Sequence, residues 1–203
     1  MNESYHYLTI QTSRGELNRL RSALRQDAGG VLGSFEGAVV GVWLGAGSIG
    51  WADDEAIVLI GPTDRGTGSE WTGPLHIEGT CVAVPLQATV RPVDPGPMRS
   101  TGVHAHRWLD VEPGNIDEAI DLSAQAWPAF EASFDARIEG LFRTTDGSSR
   151  LLLVTWYSSV AEWERSRGVP GTEHGALDEA RRMFQRRRQL TRRQIVRLAP
   201  PMP

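Results

Sequence analysis

Two stretches of this chain repeat each other at a fixed distance. Gly15 and Gly114, 99 residues apart, each open a helical stretch behind a strand-like one, and at the same offset Gly41-Val42-Trp43-Leu44 answers Gly140-Leu141-Phe142-Arg143. Recurrence of both a turn glycine and a small-apolar-aromatic run marks an internal duplication. Whatever fold the first hundred residues adopt, the second hundred must adopt as well.

The repeated order is legible. Strand composition at 5–12, a short helix carrying Leu17, Leu20 and Leu24, and strands at 38–44, 56–60 and 80–86 make the first half. Pro85 hints at an edge or a bulge. Residues 61–78, rich in Gly, Thr and Pro, carry no helical period. The second half gives a strand at 103–111, a helix at 115–131 with Asn115 as N-cap, strands at 137–144 and 150–157, helical material over 159–190, and a strand at 193–199. This β-α-β-β-(α)-β order is the ferredoxin-like split arrangement. Such a half has helices on one sheet face and must bury the other. The expectation is an α+β chain of tandem ferredoxin-like halves, 1–92 and 103–203, joined by a Pro-rich linker at 93–102. Their open faces would come together as an internal pseudo-dimer.

Composition excludes several chemistries. All 21 basic residues are arginine, so no Schiff-base lysine, pyridoxal phosphate anchor or P-loop lysine exists. A single cysteine, Cys81, rules out an intrachain disulfide and cysteine-based metal clusters. A net charge of -4 argues against wholesale nucleic-acid binding. The first residues lack a basic region followed by an apolar run, and no apolar run reaches the ~20 residues a bilayer span needs. A cytoplasmic chain with no membrane partner is expected.

The chemically able side chains gather in the second half. On strand 103–111, His104, His106, Trp108 and Asp110 point one way and Val103, Ala105, Arg107, Leu109 and Val111 the other. Two imidazoles and a carboxylate on one face are metal-ligand types, although histidines lining a cavity without metal are the favoured reading. Tyr5, Tyr7 and Thr9 stand at the places of His104, His106 and Trp108 one repeat earlier, so titrating chemistry is expected in the second half. Trp108, Trp127, Phe130, Phe142 and Trp156 form an aromatic set with Arg143 alongside. Pro128 inside a helix removes the bond to Ala124 and re-aims Trp127 and Phe130. Aromatic-lined clefts suit planar ligands or haem, and an arginine at the edge suits a carboxylate; plain core packing is the competing reading. His104, His106 or His174 would be the haem's axial donors. Residues 181–193 hold seven arginines, read as a solvated, ion-paired helix face.

Taken together, HRWLDVEPGNIDEAIDLSAQAWPAFEASF, GLFR and LLLVTWYSSVAEWERSR resemble the NIPSNAP-type proteins of the dimeric α/β barrel superfamily. GVWLGAGSIGWADDEAIVLIGPTD resembles the matching part of their first halves. The resemblance implies the dimeric α/β barrel fold, a tandem or homo-oligomeric assembly and a small-molecule-sized cavity between sheet and helices. Members elsewhere in that superfamily include cofactor-free monooxygenases, haem-degrading monooxygenases and haem peroxidases. The functional expectation is a small-molecule binder or enzyme, with oxidative or lyase chemistry on a hydrophobic aromatic substrate. His104, His106 and Asp110 would carry the chemistry, Trp108, Trp127, Phe130 and Trp156 would shape the pocket, and Arg143 would hold an anionic group. The alternatives are a catalytically silent scaffold and a haem-binding protein.

Overall fold

The computed structural model describes residues 4–31, 39–63, 79–93, 96–168 and 175–202, without the side chains of residues 14, 24–31, 62 and 63. Among these the chain runs β1 (Ser4–Thr12), α1 (Arg14–Val31), β2 (Val39–Leu44), β3 (Glu55–Thr63), β4 (Gly79–Arg91), β5 (Val103–Val111), α2 (Ile116–Ser133), β6 (Ala136–Thr144), β7 (Arg150–Tyr157), α3 (Val160–Ser166), α4 (Ala176–Gln189) and β8 (Thr191–Ala199). From residue 64 onward, the Gly-rich tract read as non-helical lies outside the described residues.

The strands form one antiparallel sheet in the order β2-β3-β1-β4-β6-β7-β5-β8. Each half contributes its second, third, first and fourth strand in that sequence, so the duplication is one of topology as well as of residues. β4 joins the halves by pairing with β6, with Ala88 opposite Phe142. The outer strands also meet. Trp43 bridges Pro201, Ile49 bridges Leu198, and the Met202 amide donates to the Val42 carbonyl at 2.8 Å. These two seams correspond. Trp43 is the counterpart of Phe142. Val84 opposite Tyr7 is the counterpart of Arg197 opposite His106, which carries Ala88 onto Pro201. The sheet therefore closes on itself as an intramolecular pseudo-dimer and leaves little free edge.

Alternation assigns the faces. Tyr5 and Tyr7 point into the barrel with Trp43, Trp108, Phe142 and Leu152. Leu8 and Ile10 point outward beneath Leu20 of α1. In the second half Ala105, Leu109 and Val111 face α2 and α4. The repeated glycine explains the repeated motif: a Cβ at Gly41 would overlap the Trp43 ring, and one at Gly140 would overlap Phe142. Each glycine leaves a slot in which the aromatic two residues later lies across its own strand.

One local expectation needs correction, and another holds in position only. Pro85 is not on an edge, because β4 lies inside the sheet. It is tolerated there because pairing with β6 starts only at Leu86, so no ladder partner waits on that side for the missing N–H. Asn115 occupies the N-cap of α2 but makes no side-chain capping bond.

Candidate functional site

β5 divides the chemistry between two compartments. His104 and His106 point into the barrel and are fully buried. Tyr7 Oη and His106 Nδ1 share a hydrogen bond at 3.0 Å, joining residues that occupy the same place in the two halves. Further ring contacts repeat the symmetry. Trp43 meets His104 edge-on at 5.4 Å, and the counterpart pair, Phe142 and Tyr5, meets at 5.0 Å. Trp43 and Trp51 also stand perpendicular to His106, at 4.3 and 5.0 Å. Both ring nitrogens of His104, and Nε2 of His106, have no hydrogen-bond partner among the described residues. Burial disfavours the charged imidazole. It lowers His104 to about 3, helped by the charge of Arg99. His106 is held well below its usual range by burial, then by His104 and Arg197. These are neutral core histidines packed ring on ring.

The remaining residues of that set are dispersed. Trp108 lies under the Arg150 guanidinium at 4.4 Å, and Asp110 pairs with Arg150 at 3.1 Å rather than with the imidazoles. Among the described residues, no three His, Cys, Asp or Glu side chains gather closely enough to hold a metal ion. Trp156 packs beneath Arg99 at 4.9 Å and donates its indole N–H to Thr101 O at 2.7 Å. Arg143 is exposed and donates to Gln87 Oε1 at 2.6 Å. Trp127 and Phe130 face the helix side. His174 lies outside the described residues.

On the opposite face of β5 a cavity of about 350 Å³ opens between the second-half sheet and α2, α3 and α4. Its floor includes Arg107, Leu153, Thr155 and Tyr157, and α2 supplies Trp127, Phe130 and Phe134 as one wall. α4 supplies Phe184 and Arg187 from the other side. The local sequence explains the placement. Arg107 is the one charge on an outward strand face otherwise made of Val103, Ala105, Leu109 and Val111. On α4, Leu177, Ala180, Phe184 and Arg187 recur at helical spacing, so Arg187 sits on the buried stripe. It is 4% exposed. This revises the reading of the arginine run: Arg186 pairs with Glu118 at 3.0 Å and Arg192 with Glu112 at 3.6 Å on the solvated side, whereas Arg187 turns inward.

The electrostatics of the cavity are one-sided. Arg107 and Arg187 line it with Arg167, Arg181 and Arg188, and no carboxylate is among its described lining residues. Arg187 Nη1 donates to Ser123 Oγ at 2.9 Å, and its guanidinium lies 5.1 Å from the Phe184 ring centre. Burial, then the charges of Arg107 and Arg188, pull its proton affinity down to about 9, which leaves it charged at neutral pH. Burial lowers Arg107 in the same direction. Tyr157 is held above its usual range by burial, against the nearby arginine charges, so its hydroxyl keeps its proton. Trp127 is braced from the first half. Arg91, at the end of β4, lies over its ring at 5.1 Å and forks onto Glu131 at 2.6 and 3.2 Å. The Trp127 Nε1–H finds no acceptor among the described residues. The described lining residues offer no axial donor for haem: no His, Cys or Met is among them, and His104 and His106 lie on the other side of the sheet.

No protein-family model matches the sequence, and neither does any curated protein. Solved structures do match. An anthrone oxidase-like protein is similar with a TM-score of 0.67 at 11% identity, covering 98% of this chain and 91% of that one. A ferredoxin-fold protein related to antibiotic biosynthesis monooxygenases, from Listeria monocytogenes, gives 0.52 at 10% identity, with 98% and 96% covered. A NIPSNAP family protein from Agrobacterium tumefaciens gives 0.41 at 19% identity, over 51% of this chain and 89% of that one. At these identities the likeness is one of fold. The expectation of tandem ferredoxin-like halves in a dimeric α/β barrel arrangement is borne out, and no helix among the described residues is long and apolar enough to cross a membrane.

Proposed function

We propose that this protein binds a small, planar organic anion in the second-half cavity, with its acidic group against Arg107 and Arg187 and its ring between the aromatic walls. One observation carries the reading: two arginines reach into an aromatic-walled cavity whose described lining offers no carboxylate. Removing an unpaired cation from water costs several kcal/mol even after relaxation, roughly. A bound carboxylate or phenolate would offset that cost with charge-assisted, bidentate hydrogen bonds. A silent scaffold has no use for it. The Trp127 N–H, which has no acceptor among the described residues, supplies a further donor for a polar edge of the ligand.

Turnover is the second reading, and the same arginines favour it. Guanidinium groups that hold a carboxylate also stabilise a phenolate or enolate, the electron-rich form from which oxidation of an aromatic ring or an elimination starts. The name of the anthrone oxidase-like protein, which shares the fold, points to a fused-ring substrate. No His, Asp or Glu is among the described lining residues, so here the arginines would act by lowering the ligand's own pKa. His104 and His106, behind the sheet, have no direct reach to a ligand in this cavity.

Calorimetric titration with 2-naphthoate and its neutral isostere 2-naphthamide tests the reading. The acid should bind at least ~10-fold more tightly than the amide, the range of one charged hydrogen bond, and Arg107→Gln should remove most of the difference. Equal binding of acid and amide, or no binding of either, would overturn it and favour the scaffold.

A further inference from the structure

We infer that the natural ligand is a dianion: a flat aromatic body with two separated acidic groups, one held deep in the cavity by Arg107 and Arg187 and the other at its mouth by Arg167 and Arg188. This rests on reading the cavity as an anion site and goes on to name the ligand's charge and shape.

The five arginines of the cavity differ in exposure. Arg187 is buried and Arg107 and Arg181 are partly buried, whereas Arg167 and Arg188 are exposed. They come from different elements: Arg107 from the sheet floor, Arg187 and Arg188 from the last turn of α4, and Arg167 from the C-cap of α3. Several acidic side chains of the second half are engaged elsewhere. Glu162 pairs with Arg165, Glu118 with Arg186 and Glu112 with Arg192. Among the described residues, no ion pair reaches Arg107, Arg167, Arg187 or Arg188. The chain as a whole carries a net charge of -4, so this positive charge is a local concentration. A ligand with one acidic group would meet the inner pair and leave the rim unanswered. The apolar body of such a ligand would lie on Trp127, Phe130 and Phe184, between the inner pair and the rim.

The test compares three probes by calorimetry, at low and at physiological salt: 2-naphthoate, naphthalene-2,6-dicarboxylate and 2-naphthyl phosphate. The dicarboxylate should bind about three- to tenfold more tightly than the monocarboxylate at low salt, the range of exposed ion pairs. It should also lose affinity more steeply as salt rises. In the Arg167→Gln/Arg188→Gln double variant, at exposed positions that leave the fold intact by circular dichroism, the dicarboxylate should fall to the level of the monocarboxylate. Equal affinity for the two carboxylates would overturn the dianion while leaving the anion site standing. A phosphate ester that binds more tightly than the dicarboxylate would put both charges at the inner end and overturn the separation of the two acidic groups. If no probe binds, the anion site itself fails.

Discussion

Replacing Arg187 by methionine should make the empty protein more stable while depriving it of its ligand. Methionine suits a helix and fills much the same length. Substituting well-packed apolar groups for buried ionic ones is often neutral or stabilising, by about 1–4 kcal/mol, and Arg187, lacking a carboxylate partner among the described residues, belongs at the upper end. Against this stand the hydrogen bond to Ser123 and the contact with Phe184. Ser123 is not orphaned by the change, since its hydroxyl still donates to Ala119 O at 2.6 Å. Taking about 1 kcal/mol for each lost contact, the net expectation is a gain of about 1–2 kcal/mol. For a chain of this size that corresponds to a rise of roughly 2–8 °C in Tm. Urea denaturation followed by circular dichroism on ligand-free protein measures it, and calorimetry with 2-naphthoate should show a loss of about 10- to 150-fold in affinity. A loss of 3 kcal/mol or more in the empty protein, as for a broken buried ion pair, about 3–5 kcal/mol, would show Arg187 to be a structural residue and refute the reasoning.

Other outcomes follow from the barrel interior. Gly140→Ala should cost about 1–3 kcal/mol, because the new methyl overlaps the Phe142 ring; an unchanged urea midpoint would contradict the slot explanation of the repeated motif. Tyr7→Phe leaves His106 Nδ1 buried without its partner and should cost about 1–3 kcal/mol, read by the same denaturation. The folded-state pKa values of His104 and His106 lie below the ordinary 6.5, at about 3 for His104. The unfolded chain therefore binds more protons as pH falls. Their contribution to stability is full above pH 7 and declines below 6.5, by at most about 1.4 kcal/mol per pH unit for each histidine. Denaturation midpoints between pH 7 and 5.5, above the carboxylate range, should show this slope, and His104→Phe should reduce it. An unchanged slope would mean that His104 is solvated.

The duplication was legible because its signal is steric. A glycine two residues before an aromatic, repeated at one spacing, marks the same ring lying in the same slot of two equivalent strands. That His104 and His106 share a face opposite Arg107 also followed from alternation. Closure followed too, because two one-sided sheets in one chain must cover each other's open faces; the particular seam between β2 and β8 did not, since it depends on contacts between the ends of the chain, which no local pattern records. Because of that closure, the face of β5 carrying two histidines became packed interior, and the face carrying one arginine became a cavity wall. The aromatic set was mixed for the same reason: Trp108 and Phe142 belong to the interior, while Trp127 and Phe130 belong to the cavity. Arg107 did leave a trace, as a lone charge on an apolar strand face. So did Arg187, at helical spacing from Leu177, Ala180 and Phe184. Near-neutral titration drew attention to the histidines, while Arg107 and Arg187, charges standing where apolar side chains were due, are the ones that line the cavity.

A crystal structure of the protein grown with 2-naphthoate tests the anion site most directly. The carboxylate should lie within hydrogen-bond distance of the Arg107 and Arg187 guanidinium groups, with the ring system between Trp127 and Phe184. Density for the acid beside His104 inside the barrel, or on the outer surface with the second-half cavity empty, would contradict it.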